Sequence, residues 1–311
     1  MFHRQEGPTR RSFLVSGVKA AVGVSAGSVI GSFHSFGADS TTKRKLKMRF
    51  GFTTYTWGKE WDIPTLIANC RKAEVFGVEL RTSSSYAHGV ELELSGAKRQ
   101  EVKKQFKDSP VTLVGLATSE RFDWPDEAKL KAAIEAAKGF VNLSRDVGAG
   151  GVRVFPNQFH PNVPREKTIE QIANALNAVG AFAADLGQEV RLEAHGGAGD
   201  LPTMRAIMDR VTQRSVHIAL NSDARDTAGK GLEHNFNLVK DVLGHTLHAH
   251  DFKDPKFPYQ LQTDLLVKMN WDGWVLLEAS AKVPDRIQAL IEQRQIFEKM
   301  VANSLRAKTG L

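Results

Sequence analysis

The sequence predicts an α/β protein of one domain, a (β/α)8 TIM barrel. Three observations predict it. Eight short apolar runs alternate with longer segments of helical periodicity, and that alternation gives a parallel sheet. Eight is the strand number that closes such a sheet into a barrel, and 311 residues suffice for one barrel of ~250. The first strand leads into Thr53-Thr54-Tyr55-Thr56-Trp57, whereas an open doubly wound sheet would place a Gly-rich turn there.

The strands are expected at 49–57, 77–83, 111–119, 151–158, 189–195, 216–223, 246–251 and 274–280. Helices are expected at 63–76, 126–147, 169–186, 204–211, 236–243, 261–269 and 285–305. The first begins after Asp62 with Pro64 in its first turn, a normal helix start. In the third of them, Ile169, Ile172, Ala173, Leu176, Val179, Ala183 and Leu186 share one face. The barrel thus spans residues 49–305, with a short tail at 306–311.

The segment before the barrel reads as a targeting sequence. Thr9-Arg10-Arg11-Ser12-Phe13-Leu14 resembles the twin-arginine export signal. The stretch that follows is rich in Ala, Gly, Val and Ser and contains Lys19, which suits an export segment better than a permanent span. The expected organisation is a signal segment at 1–38, a linker at 39–48 and then the barrel. This implies an exported, periplasmic protein, anchored to the membrane if the signal is uncleaved. No second apolar run predicts stable membrane insertion after export.

Composition narrows the partners. Hydrophobic residues at 41% can build a sizeable core, and charged residues at 25% are ordinary for a soluble protein. Of the net charge of +7, residues 1–38 supply +3, leaving +4 spread among many carboxylates. That is a weak footprint for nucleic acid, and none is expected as a partner. The single cysteine, Cys70, forms no intramolecular disulfide and reads as a small core residue. A homo-oligomer is compatible with the sequence.

Barrel active sites lie at the C-terminal ends of the strands. Glu193 and His195 close the fifth strand, Asn221 and Asp223 the sixth, His248, His250 and Asp251 the seventh, and Glu278 the eighth. Residues two apart on a strand share a face, so each pair can point to one centre. Carboxylates and imidazoles converging there predict a divalent metal ion, Mn, Mg, Co or Zn. Without a cation, the acidic groups would repel one another. Other strand ends supply Trp57, Glu79, Arg81, Arg153 and Asn157, with His88 in a loop. An aromatic face and a few hydrogen-bonding groups around a metal suit a sugar. Trp57, Arg81, His88, Asn157, His195 and Asp251 are therefore the candidate substrate-binding residues. The nearest approach to a phosphate cradle is Gly196-Gly197-Ala198-Gly199, which reads more simply as a flexible loop.

The segments Val190–Gly197, Leu220–Asp223, Leu247–Asp251 and Leu276–Ser280, in that order, resemble the metal-binding strand ends of the xylose isomerase-like barrel superfamily. It includes the sugar phosphate isomerase/epimerases and ketose 3-epimerases. The resemblance implies that Glu193 and Glu278 bind the metal and also shuttle the proton. It implies a histidine ligand, His248 or His250, and the spacing to Asp251 favours His248. The sixth-strand ligand is normally Asp; here Asn221 takes the matching place, with Asp223 two residues on. His195 and Arg81 would contact substrate.

The implied activity is a metal-dependent isomerase or epimerase acting on a ketose or keto-sugar through an enediolate. A lyase or hydratase on 3-keto sugars or glycosides would use the same first step. An apurinic-site endonuclease would need more histidines and a basic groove. A non-catalytic sugar-binding barrel is the remaining alternative.

Overall fold

The computed structural model describes residues 48–82 and 86–309. The expected signal segment and nearly all of the linker lie outside the described residues. Eight strands and eight helices alternate: β1 (Arg49–Thr53), α1 (Ile63–Ala73), β2 (Gly77–Arg81), α2 (Gly96–Lys107), β3 (Thr112–Arg121), α3 (Glu127–Val147), β4 (Gly151–Phe155), α4 (Arg165–Asp185), β5 (Glu189–Glu193), α5 (Leu201–Met208), β6 (Val216–Ala219), α6 (Leu232–Val239), β7 (Thr246–Ala249), α7 (Tyr259–Lys268), β8 (Trp274–Leu277) and α8 (Arg286–Thr309).

The strands pair in parallel in the order β6-β5-β4-β3-β2-β1-β8-β7. The seam between β6 and β7 is closed by single bonds: Gly244 N–H to Ile218 O at 2.9 Å and His248 N–H to Leu220 O at 2.8 Å. The predicted (β/α)8 barrel is therefore the observed fold.

Period-two patterning decides what faces where. In β5, Val190 and Leu192 point outward into the apolar layer shared with the helices, while Glu189, Arg191 and Glu193 take the alternate face. Val152 and Val154 do the same in β4 around Arg153. The inner face is thus unusually charged, and glycines make room for it. A Cβ on Gly115 would sit 2.5 Å from Arg191 Nη1, and one on Gly77 would sit 2.2 Å from the Trp274 ring. Cys70 is buried in the outer layer, and burial pushes its thiol up to about 12, as befits a core residue.

The structure differs from the expected elements in several places. Helix α2 was not predicted, because only Val102 and Phe106 of its twelve residues are buried and its apolar periodicity is too thin to read. Helix α5 starts earlier than its periodicity, at Leu201, where the Asp200 carboxylate accepts from Thr203 N–H at 3.0 Å. Helix α8 continues through most of the expected tail, to Thr309. Seven of the strands end earlier than expected. The residues beyond them belong to the loops of the barrel mouth, where backbone turns replace extended chain. Among the described residues, no helix is long and apolar enough to cross a membrane.

Candidate active site

The inward residues of β2, β4, β5 and β7 meet at the mouth of the barrel. Glu278 lies one residue beyond β8, its N–H bonded to Ala249 O at 2.7 Å. His248 Nε2 donates to Glu79 Oε2 at 2.6 Å. Its other nitrogen, Nδ1, lies 3.3 Å from Glu193 Oε2 and 3.6 Å from Glu278 Oε2. Arg153 Nε sits 2.9 Å from the same Glu193 oxygen. One donor atom from each of Glu193, His248 and Glu278 falls within 4.8 Å of the others. The side chains of Glu79, Glu193, His248 and Arg153 are at most 2% exposed, and that of Glu278 is 14% exposed.

So many buried charges perturb one another. Burial alone would raise the Glu193 carboxyl, but the Arg153 guanidinium and the His248 ring hold it well below the usual carboxylate range. Burial also opposes a charged His248, yet the Glu193 and Glu79 carboxylates hold its imidazole well above the usual value. Glu79 follows Glu193: burial raises it, and His248, Arg153 and Arg191 lower it further than that.

The donor set fits a divalent ion. Asn221 Oδ1 is buried with no hydrogen-bond partner among the described residues, and Glu193 Oε2 and His248 Nδ1, buried in ion-pair range, make no aligned hydrogen bond there. Buried polar atoms left unpaired are costly. Asn221 directly follows Leu220, whose carbonyl accepts from the His248 amide, so it stands beside that histidine. Carboxylate oxygens, one imidazole and one amide oxygen suit Mn, Mg, Co or Zn.

The other predicted residues take different places. Asp223 follows Ser222, whose φ of +47° breaks the strand alternation, so Asp223 and Asn221 no longer share a face. The Asp223 carboxylate caps a short 3₁₀ turn by accepting from Arg225 N–H at 3.0 Å, and it pairs with Arg225 Nη2 at 2.6 Å. His195 stays near the centre, within electrostatic range of Glu193, Arg153 and Glu278: its N–H bonds back to Glu193 O at 2.7 Å, and its exposed ring packs on Phe155 at 4.7 Å. His250 Nδ1 lies 3.2 Å from the Glu278 carbonyl oxygen. Together with Trp57, Asp223, Asp251 and Tyr259, His250 lines a cavity of about 390 Å³ beside the centre. Trp57 is fixed there by donating Nε1–H to Ala281 O at 2.8 Å. The Asp251 carboxylate accepts from Lys253 N–H at 2.9 Å and Gln293 Nε2 at 2.5 Å, which ties the loop to α8.

Arg81 spends Nη1 on the Thr82 and Ala117 carbonyls and Nη2 on Ser119 Oγ at 2.7 Å. Asn157 has φ +62° and its Nδ2 lies 3.4 Å from Asp123 Oδ2. Its carbonyl takes the Ala198 amide, and Gly199 N–H bonds to Gly196 O. The Gly196–Gly199 loop therefore uses two of its amides internally. A Cβ on Gly196 would sit 2.0 Å from Asn157 O, so this is a tight packed turn.

His88 is buried, with both ring nitrogens committed to backbone: Nε2 donates to Arg81 O at 3.0 Å and Nδ1 accepts from Val90 N–H at 3.1 Å. That leaves no ring nitrogen for a substrate. Burial lowers its imidazole to about 4. The unfolded chain, with an ordinary histidine, takes up a proton at higher pH than the folded one. Stability should therefore fall as pH drops from about 6.5 to about 4, by roughly 3 kcal/mol from this residue. Asp226, raised by burial to about 7, contributes the opposite slope over much of that range. The His88 part is isolated by comparing urea melts of wild type and His88→Gln; the variant should lose that part of the acid sensitivity, and equal slopes would contradict it.

Two residues at the centre, Glu79 and Arg153, stand at strand ends in the sequence and receive no individual role from it. Their position on strands was legible, and so was the parity that aligns Arg153 with Arg191 across β4 and β5. Their partners were not, because Glu79 and His248 lie 169 residues apart in the chain.

Residues 67–300 match the profile of the family described as Xylose isomerase-like TIM barrel. No curated protein matches the chain. Among solved structures, it resembles the apo form of 3-keto-D-glucoside 4-epimerase from E. coli, with 15% identity and a TM-score of 0.68 over 81% of this chain and 100% of that one. An L-ribulose 3-epimerase aligns with 13% identity and a TM-score of 0.72, covering 84% of this chain and 97% of that one. D-psicose 3-epimerase from Clostridium cellulolyticum H10, crystallised with D-tagatose, aligns with 14% identity and a TM-score of 0.65, covering 83% of this chain and 97% of the other. At these identities the likeness shows the fold.

Proposed function

The chain belongs to the Xylose isomerase-like TIM barrel family, and we propose that it is a metal-dependent isomerase or epimerase of a ketose or keto-sugar. The observation that carries this reading is the pair of carboxylates, Glu193 and Glu278, set 3.3 and 3.6 Å from one imidazole nitrogen at the barrel mouth. The printed names of the structural neighbours, epimerases of keto-sugars, point the same way.

Glu193, His248, Glu278 and Asn221 would hold the metal. When bound, a divalent ion polarises a sugar carbonyl and its neighbouring hydroxyl. The chain's own residues do the rest. Glu278, the more exposed carboxylate, lies next to the cavity lined by Ala279, Ser280 and Ala281 and takes the proton from the carbon beside the carbonyl. Glu193 lies beside the same His248 nitrogen, 3.3 Å from it. Once it has taken up a proton against the pull of Arg153, it returns that proton on the opposite face for epimerisation; for isomerisation Glu278 hands its own proton to the adjacent carbon. Arg153 and His248 fix the Glu193 oxygen in place. Trp57 offers an aromatic wall to a sugar ring, and a cavity of about 390 Å³ is of the size that small-molecule sites have.

The test is product analysis by proton NMR with a panel of free ketoses, their phosphates and 3-keto-glucosides. Epimer or isomer formation is expected with at least one. Loss of the aglycone or of water across the neighbouring carbon would replace this reading with the lyase one, and turnover of none would favour a sugar-binding barrel.

We also propose export through the twin-arginine motif at Arg10-Arg11. Replacing both arginines by lysine should keep the full-length protein in the cytoplasm, as followed by fractionation and immunoblot. Unchanged periplasmic delivery would refute it.

A further inference from the structure

Glu79 comes from β2, separated from β7 by β1 and β8, and it reaches His248 inside the barrel. The pair is 2.6 Å apart and each side chain is 1% exposed. A hydrogen bond this short between buried groups fixes the ring. The carboxylate can only accept, so Nε2 keeps its hydrogen, and Nδ1 is the nitrogen whose proton a divalent ion would displace. Nδ1 is the nitrogen that faces Glu193 and Glu278.

The surroundings are shaped for this carboxylate. Gly115 has no Cβ where one would stand 3.3 Å from Glu79 Oε1 and 2.5 Å from Arg191 Nη1. Glu79 Oε1 itself has no hydrogen-bond partner among the described residues. As a purely structural group it would be a poor choice, since apolar residues in place of a buried ion pair are often neutral or stabilising. Its one short contact is to the histidine.

We propose that Glu79 is the positioning residue of the metal centre: by accepting the Nε2–H of His248 it fixes the tautomer and ring orientation that present Nδ1 to a divalent ion. The role rests on the metal-dependent reading above. Carboxylate partners of this kind commonly change metal affinity by ~10–100-fold when removed.

Two measurements test it. In the first, Mn²⁺ binding to the metal-stripped protein is followed by titration calorimetry, alongside the melting temperature of each metal-free protein. Glu79→Gln should bind Mn²⁺ ~10–100-fold more weakly than wild type. A residue that only supports packing would move the melting temperature and leave the affinity of the folded protein as it was, and that result overturns the proposal. The second needs no Glu79 variant to fold. In ¹⁵N-histidine-labelled wild type loaded with Zn²⁺, the His248 signals are assigned by their loss in His248→Asn. The metal should be on Nδ1 with the hydrogen on Nε2. Metal on Nε2 overturns the proposal. Wild type that binds no divalent ion overturns the functional reading itself and this role with it, whereas binding with equal affinity in Glu79→Gln overturns this role alone.

Discussion

Glu278→Gln is expected to lower kcat by ~10²–10⁴-fold, the usual worth of a positioned acid–base group. The amide has nearly the same shape and keeps an oxygen for a metal, but it cannot take a proton from carbon. Glu278 is the least buried of the three carboxylates and sits beyond the strand ladder of β8, so the fold should tolerate the change. The melting temperature should stay within a few degrees of wild type. Glu193→Gln should be equally inactive, with a larger loss of stability, because it leaves the buried Arg153 without its counter-charge. Steady-state kinetics with the sugar found by the NMR panel, paired with thermal melts, reads both effects. A Glu278→Gln enzyme with wild-type kcat would remove proton transfer from this residue.

Arg153→Leu is expected to destabilise the metal-free protein by ~3–5 kcal/mol, the cost of removing one partner from a buried ion pair. Both Arg153 and Glu193 are 2% exposed, so water cannot replace the guanidinium. The variant leaves Glu193 and Glu79 among fewer positive charges, and both carboxyls should rise from their depressed values. The metal-free variant should therefore lose stability relative to wild type most clearly near neutral pH. It should lose less under acid conditions, where the freed carboxyls are protonated. Urea melts at pH 7 and pH 4.5 measure this. Equal stability of wild type and variant at pH 7 would contradict the coupling.

How far the sequence carries these conclusions differs between fold and site. The barrel is legible because its outer layer is apolar at period two and its helices are apolar on one face; α2 escapes notice because only Val102 and Phe106 are buried. At the strand ends, residue type is legible and direction is not. Asn221 and Asp223 look equivalent in sequence until Ser222 turns at φ +47° and sends Asp223 to Arg225. After Glu193 the chain turns as well, where the His195 amide bonds back to the Glu193 carbonyl, and the ring of His195 comes to rest on Phe155. His88 looks like a ligand by type, but its two backbone partners are a property of the loop's path. Glu79 and Arg153 are the converse: strand residues whose importance lies in partners that only barrel closure brings near. The local pattern of a strand says which face a residue takes. It does not say what waits on that face.

The most direct test of metal-assisted proton transfer is the uptake of deuterium from D₂O at the carbon beside the substrate carbonyl, followed by proton NMR. Wild type should exchange that hydrogen, lose the activity on treatment with a chelator, and regain it with Mn²⁺, Mg²⁺, Co²⁺ or Zn²⁺. Glu278→Gln should exchange it at least ~100-fold more slowly under all of these conditions. Exchange at the wild-type rate in the stripped protein, or in Glu278→Gln, would contradict the account.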